Sequence, residues 1–330
     1  MSVLGISSEK RQRFLFKNPY LFALLLLIAA IAVNFYLQPN LFELRVLNGN
    51  MRIFLPLMIA AAGQAIVIIG GGIDLSIGAM VSLVNTVFIT NVSRDATPEQ
   101  LLLALALSLL AGMLAGAFNG ICVAYLRLQP IVTTYATSFV FAGLALRILP
   151  RPGGAIPSEL SSLYRSAPLN VPLALWIAIL LVVVWALLRN TRYGNYLYAV
   201  GGDDQSAYTT GVPVNRIRFS TYVFAGLFAA LAAIALTMST GTGDPRMGMT
   251  RDGGGMTLDS IVAVVLGGTR LSGGQGGIAG AVIGVAILGI IRNIISFAEV
   301  PNWWQTLVDA VIIIIALAGP GLIRLIRGQR

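Results

Sequence analysis

The chain has 330 residues, of which 57% are hydrophobic and 11% charged, where an ordinary soluble domain carries about a quarter charged residues. With a mean hydropathy of +0.83, its apolar surface exceeds what a water-soluble core hides, so membrane is the solvent for most of it. No histidine and a single cysteine, Cys122, exclude disulfides, His/Cys metal sites and Ser/His or Cys/His catalytic sets, and the net charge of +9 is scattered between apolar runs, not gathered on a nucleic-acid-binding face.

In chain order, Glu9-Lys10-Arg11-Gln12-Arg13 and Lys17 precede the first apolar run, Tyr20 to Tyr36. With no small-residue cleavage site, this run reads as an uncleaved first helix. Further spans are expected near 51–69, 75–91, 101–126, 131–147, 171–188, 217–239, 256–267, 277–297 and 304–323. The expectation is an all-α, polytopic bundle of about ten spans, forming one transmembrane domain over 1–330. An even count returns the tails 1–18 and 324–330 to one side, and the positive-inside rule makes that side cytoplasmic. Inside fall Lys10, Arg11, Arg13, Lys17, Arg127, Arg189, Arg192, Arg216, Arg218, Arg270, Arg324, Arg327 and Arg330; outside fall Arg45, Arg52, Arg94, Arg147, Arg151, Arg165, Arg246 and Arg251, with Arg292 left within a span. The segments 75–91 and 256–267 are short enough to be broken or re-entrant. The longest loops, 189–218 inside and 148–170 outside, exceed the needs of a helical hairpin and mark both faces for docking.

At Gly70-Gly71-Gly72-Ile73-Asp74-Leu75-Ser76-Ile77-Gly78 a carboxylate interrupts apolar sequence. Either Asp74 or Ser76 caps the next helix, or both line a polar path, because ionisable groups at membrane depth face cavities. Gln64, Asn85, Asn119, Thr133, Thr134 and Thr137 add uncharged hydrogen-bonding groups suited to a polyol or to joining helices. The candidate substrate path is Asp74, Ser76, Asn85, Asn119, Thr133 and Thr134. Gly112, Gly116 and Gly120, like Gly276, Gly280 and Gly284, form small faces for close helix approach, within the chain or between subunits.

In the loop 189–218, Asp203 or Asp204 can N-cap a short helix over about 204–210, which Gly211 and Pro213 would end. A capped soluble helix between two spans suits docking to a cytosolic partner; an amphipathic linker is the plain alternative. Further on, Gly267 to Gly274 repeats the G-G-x-x-L-S-x-G pattern of Gly71 to Gly78, as an internal duplication would. Leu271 to Gln275 spells LSGGQ, the signature string of ABC ATPases. The only lysines, Lys10 and Lys17, lie in no phosphate-binding loop, so the string reads as a Gly-rich turn. Trp303 and Trp304 read as interfacial anchors.

Gly71 to Ser76 (GGIDLS), Arg192 to Gly202 (RYGNYLYAVGG), Gly211 to Arg216 (GVPVNR), Leu258 to Thr269 and the Gly-rich helix from Gly276 to Gly289 resemble the permease family of ribose-, galactose- and xylose-type ABC importers. The resemblance implies a bacterial inner-membrane transport subunit of about ten helices that carries no ATPase site of its own. It implies partners: a second permease subunit (identical or paralogous), cytosolic ABC ATPase subunits that bind ATP and Mg, and a periplasmic sugar-binding protein. It further implies that 203–210 is the coupling helix seated in the ATPase, with Gly201, Asp203, Asp204, Gln205, Ala207 and Gly211 as coupling residues. Two departures from the family pattern are Ser206-Ala207-Tyr208-Thr209-Thr210, in place of an Ala-Ala-Arg-rich run, and Thr257, where an acid is common. The outside arginines Arg147, Arg151, Arg165, Arg246 and Arg251 are candidates for docking acidic lobes of the binding protein. The expected function is import of a pentose, hexose or related furanose by alternating access. The rival is an ion-coupled secondary transporter acting alone, whose relay candidates are Asp74, Asp259, Asp309 and Arg292. An intramembrane carboxylate enzyme would need two acids on one helix face, and no expected span carries them.

Overall fold

A computed structural model describes residues 20–249, 255–299, 301, 304, 307 and 311. In hydrocarbon each peptide group must be satisfied within its own segment, so apolar runs become helices. These are α1 (Tyr20–Leu37), α2 (Leu44–Ile69), α3 (Ile77–Thr90), α4 (Pro98–Gly120, continued by the π-turn Ile121–Tyr125) and α5 (Pro130–Ile148). Then come α6 (Ser158–Tyr164), α7 (Leu173–Arg189), α8 (Arg192–Gly202), α9 (Asp204–Thr209), α10 (Val214–Thr240), α11 (Gly255–Leu266) and α12 (Ile278–Phe297). No strand occurs among the described residues; an isolated bridge joins Gly153 to Gly243.

Five helices, α2, α4 with its π-turn, α5, α10 and α12, are long and apolar enough to cross a membrane. A sixth crossing results if Ser158–Asn170 and α7, bent by 79° at their junction, count as one. The expected count of about ten is therefore not reached among the described residues. The segments expected near 75–91 and 256–267 are helices of 14 and 12 residues, about 21 Å and about 18 Å long, against a hydrocarbon layer of about 30 Å. The span expected at 304–323 and both tails lie largely or wholly outside the described residues.

Glycine turns end the helices that border these short elements. At the end of α2 the N–H groups of Gly70, Gly71 and Gly72 donate to the carbonyls of Ile66, Ile68 and Val67. At the end of α11 those of Gly267, Gly268 and Thr269 donate to Ala263, Val265 and Val264, the same pattern. Gly71 and Gly268 hold φ of +83° and +88°, the left-handed glycine stop that frees a helix to turn. The two turns thus match Gly71 with Gly268, one residue out of register from the sequence echo that pairs Gly71 with Gly267. In the structural register Asp74 falls opposite Leu271, where the sequence echo pairs it with Arg270; in either register the second turn has no acid. The LSGGQ string is indeed the turn between α11 and α12.

α2 and α10 form the centre, α2 being buried continuously from Phe54 to Met58 apart from Leu57, and then through Ile69. Small residues let the backbones meet: a Cβ on Gly226 of α10 would overlap the carbonyl of Gly112, and one on Gly116 that of Tyr222. The α4 glycine face is therefore used within the chain, with Gly120 against Phe219. Gly280 and Gly284 pack likewise on Gly267 and Ala263, but Gly276 precedes α12, which starts at Ile278, and belongs to the turn.

Overpacking a closed contact costs about 1–3 kcal/mol. Gly226→Ala should thus lower the unfolding temperature in detergent by several degrees in scanning fluorimetry. Gly143→Ala on α5, where a Cβ meets open space, should leave it unchanged or raise it.

Candidate functional site: a capped turn, a buried seam and two cavities

At one end of the bundle α8 and α9 are held by short polar contacts. Gly201 is buried where a Cβ would overlap the Ile69 carbonyl, and Gly274 N–H donates to that same carbonyl at 2.9 Å. Gly71 and Gly273 lie in the same contact, so both glycine turns and α8 converge on one point. Asp203 caps α9: Oδ1 accepts from the N–H groups of Gln205 and Ser206 at 3.0 and 3.1 Å, and Oδ2 from Ser206 Oγ at 2.9 Å. The Ser206 N–H, its hydroxyl and the Gln205 N–H hold the Asp203 carboxyl below its ordinary 3.8. Asp204 has a different task, an ion pair with Arg218 of α10 at 2.7 Å. Of the expected coupling residues, Gly201 and Ala207 are buried, whereas Asp203, Asp204, Gln205 and Gly211 face outward. Tyr208, which the sequence marks only as part of a run departing from the family pattern, is 74% exposed. Beside α9 a cavity of about 1050 Å³ is bordered by Gly70, Gly71, Arg127, Tyr208, Arg216 and Tyr222, among others.

Next to this cavity the start of α3 is buried in a polar seam. Asp74 is fully buried and its Oδ1 accepts from Ser76 N–H at 2.8 Å and Ser76 Oγ at 2.6 Å. Asn119 Nδ2 donates to Ser76 Oγ at 2.8 Å, and Thr137 Oγ1 to Asn119 Oδ1 at 2.7 Å. Leu75 N–H donates to Thr134 Oγ1 of α5 and Gly78 N–H to Thr257 Oγ1 of α11, each at 2.9 Å. Asp74 therefore does serve the helix start. Its Oδ2, like the Tyr222 hydroxyl, is buried without a hydrogen-bond partner among the described residues. Of the six expected path residues the seam gathers Asp74, Ser76, Asn119 and Thr134. Thr133 bonds back to Gln129 O of its own helix start at 2.8 Å. Asn85 lies further along α3, donating to Thr237 Oγ1 at 2.6 Å and accepting from Asp244 N–H at 2.8 Å.

Asn85 belongs to the other end of the bundle. There Gly153 and Gly243 exchange backbone bonds of 2.9 and 3.0 Å, which places Arg147, Arg151, Arg165 and Arg246, all exposed, at one end. Arg251 lies outside the described residues. A second cavity of about 420 Å³ opens here between α2, α10, α11 and α12. On its wall Asp259 Oδ1 pairs with Arg292 at 2.8 Å. Neither charge is a lone relay, and their separation along the chain hid the pair; opposite sign within apolar sequence was its one signal. From Arg52, on the wall of this second cavity, to Ile69 is about 26 Å along α2, so the cavities lie at opposite ends of the same helices. Between them Gly63 is closed against Ala225 and Phe228, and the side-chain amide of Gln64, fully buried, has no hydrogen-bond partner among the described residues.

The family described as "Branched-chain amino acid transport system / permease component" matches residues 46–317. The ribose import permease protein RbsC of Escherichia coli (strain K12) is 34% identical over 310 residues, covering 92% of this chain and 93% of that one. The ribose import permease protein RbsC of Bacillus subtilis (strain 168) is 33% identical over 302 residues, 89% and 88% of the two chains. The autoinducer 2 import system permease protein LsrD of Escherichia coli O9:H4 (strain HS) is 29% identical over 305 residues, 90% of each. No solved structure matches the chain. With apolar helices built to cross a membrane and a family match over most of its length, the chain belongs to this family of transport-system permease components.

Proposed function

We propose that this chain is the multi-pass inner-membrane permease subunit of an ATP-driven importer, and that it passes a pentose, hexose or related furanose delivered by a periplasmic binding protein. The observation that carries this reading is α9. It is a six-residue helix, capped by Asp203, anchored through Ala207, tied by Asp204 to Arg218 and exposed elsewhere. It stands at a bundle end beside a large cavity, in a chain 34% identical to a ribose import permease. A short rigid element on a joint of this kind transmits a push from a partner. In this reading α9 seats in a cytosolic ATPase subunit, which binds ATP and Mg, and Gly201, Gln205 and Gly211 shape the joint.

The α8–α9 end and both tails are then cytoplasmic, and the end bearing Arg147, Arg151, Arg165 and Arg246, with Arg251, receives the binding protein. The count of about ten spans includes α1, the short α3 and α11 and the last apolar run as membrane elements, in one domain over 1–330 that pairs with a second permease subunit. The likeness of the glycine turns after α2 and α11 supports an internal duplication. The substrate passes from the outer cavity to the inner one along α2, α3 and α10, past Asn85 and then the seam of Asp74, Ser76, Asn119 and Thr134, with Thr133 beside it. The ion-coupled alternative is weakened at three of its four relay candidates: Asp259 and Arg292 neutralise one another and Asp74 accepts the N–H of Ser76 at a helix start, while Asp309 lies outside the described residues.

Replacing 203–210 with a Gly/Ser linker should abolish co-purification of the partner ATPase from detergent while the elution profile of the permease stays unchanged; capture that persists would remove α9 as the contact. Changing Arg147, Arg151, Arg165 and Arg246 together to Ala should slow uptake and flatten its dependence on salt, since exposed charges act within a screening length of about 8–10 Å. Uptake equal to wild type would rule out docking there. Asn119→Leu removes the two bonds that tie α4 to Ser76 and Thr137, while each hydroxyl keeps its other acceptor, Asp74 Oδ1 and the Thr134 carbonyl. Two lost hydrogen bonds at about 1 kcal/mol each should shift unfolding down by several degrees, and uptake should fall with it.

A further inference from the structure

We propose that the cavity of about 420 Å³ between α2, α10, α11 and α12 is an acceptor site within the permease that binds the adjacent hydroxyls of a neutral sugar. This deepens the importer reading and rests on it. The volume lies within the range of about 300–1,000 Å³ common to small-molecule sites. The polar wall among the described residues consists of Arg52, Ser239, Thr240, Asp244, Asp259, Arg292 and Asn293. Among the described residues two arginines and two aspartates stand on this wall, so their charges cancel and offer an ionic ligand no net attraction. A carboxylate beside a guanidinium sets acceptors and donors side by side, which suits two neighbouring hydroxyls, each of them donor and acceptor at once.

Two observations point to a missing ligand. Arg52 Nε and Asn293 Nδ2 are buried and have no hydrogen-bond partner among the described residues, and both residues line this cavity. Buried donors without partners are costly and call for an acceptor; both atoms are closed off behind the wall, and a turn of either side chain into the cavity lets a sugar oxygen supply one. The wall is also held in place before any ligand arrives. Tyr164 Oη donates to the Arg52 carbonyl at 3.0 Å, Asn85 Oδ1 accepts from Asp244 N–H, and Asp259 and Arg292 fix each other at 2.8 Å. A pre-set array loses little freedom on binding. The larger cavity lies at the α9 end and lacks these orphan donors, apart from the Tyr222 hydroxyl.

The test uses the full chain in nanodiscs without the binding protein, with saturation-transfer NMR on D-ribose, D-xylose and D-galactose, and D-ribose 5-phosphate as the anionic comparator. At least one neutral sugar should show transfer at millimolar concentration, with the phosphate bound no better than ribose. Arg52→Gln and Asn293→Leu should each weaken that binding about tenfold, the effect of losing one buried hydrogen bond. In the complete assembly both should slow uptake while ATPase capture through α9 stays intact. Scanning fluorimetry shows which variants keep the wild-type fold, and either one alone decides the matter. No transfer from any sugar, or transfer unchanged in a folded variant, would overturn the site. Failure of the wild type to capture an ATPase or import sugar would overturn the importer reading, and the site with it.

Discussion

A helix that begins inside a bundle surrounded by lipid must find acceptors for its first N–H groups, because no water is there to supply them. The start of α3 meets this demand with Asp74 on its own approach, which takes the Ser76 N–H, and Thr257 on α11, which takes that of Gly78, while Thr134 on α5 takes the Leu75 N–H just before the helix. Those three helices are thereby held in one register, and Asn119 and Thr137 extend the joint to α4. The other half of the break is handled by glycine. Left-handed Gly71 ends α2, and the Ile69 carbonyl, freed at the helix end, is taken by Gly274 of the second turn. Breaking the helices in this way leaves room for cavities at depth, which unbroken spans packed side by side would fill.

What the sequence makes legible follows from which properties are local. Apolar runs mark α2, α4, α5, α10 and α12, and a capping aspartate followed by Gly211 marks α9, since cap and stop, Asp203 and Gly211, sit close together in the chain. Hydropathy does not register helix ends, so the runs at 75–91 and 256–267 look like full-length helical spans although α3 and α11 alone, at 14 and 12 residues, are shorter than the hydrocarbon layer. The echo of Gly71 to Gly78 in Gly267 to Gly274 is misregistered for a related reason. Matching letters favour the Leu-Ser pair, whereas the backbone aligns on whichever glycine holds positive φ.

The candidate site divides along the same line. Asp74 and Ser76 are neighbours in sequence and share a hydrogen bond, so their joint use is readable. Asn85 resembles Asn119 as a lone amide in an apolar run, yet position along a helix axis sends it to the opposite end of the bundle. Asp259 and Arg292 sit on different helices 33 residues apart, and no periodicity links them. Tyr222 and Asn293 look like ordinary core residues until the cavities beside them are seen.

The geometry also explains why a push at one end would be felt at the other. α9 joins α10 through four residues, 210–213, and the pairing of Asp204 with Arg218 clamps the two together. This exposed pair adds little stability, but it removes the slack from the connection. α10 in turn is locked to α4 backbone against backbone at Gly112, Gly116 and Gly226, and it packs on α2 at Gly63 and Gly70 through Phe228 and Thr221. Close-packed interfaces of this type shift as units and do not deform gradually. In the proposed importer a displacement of α9 would tilt α10 with its neighbours about the contact of Gly201 with Ile69 and Gly274. Cavities at opposite ends of α2 and α10 would then change in opposite senses, and the closed layer at Gly63 and Gln64 would have to part for a substrate to move from one to the other.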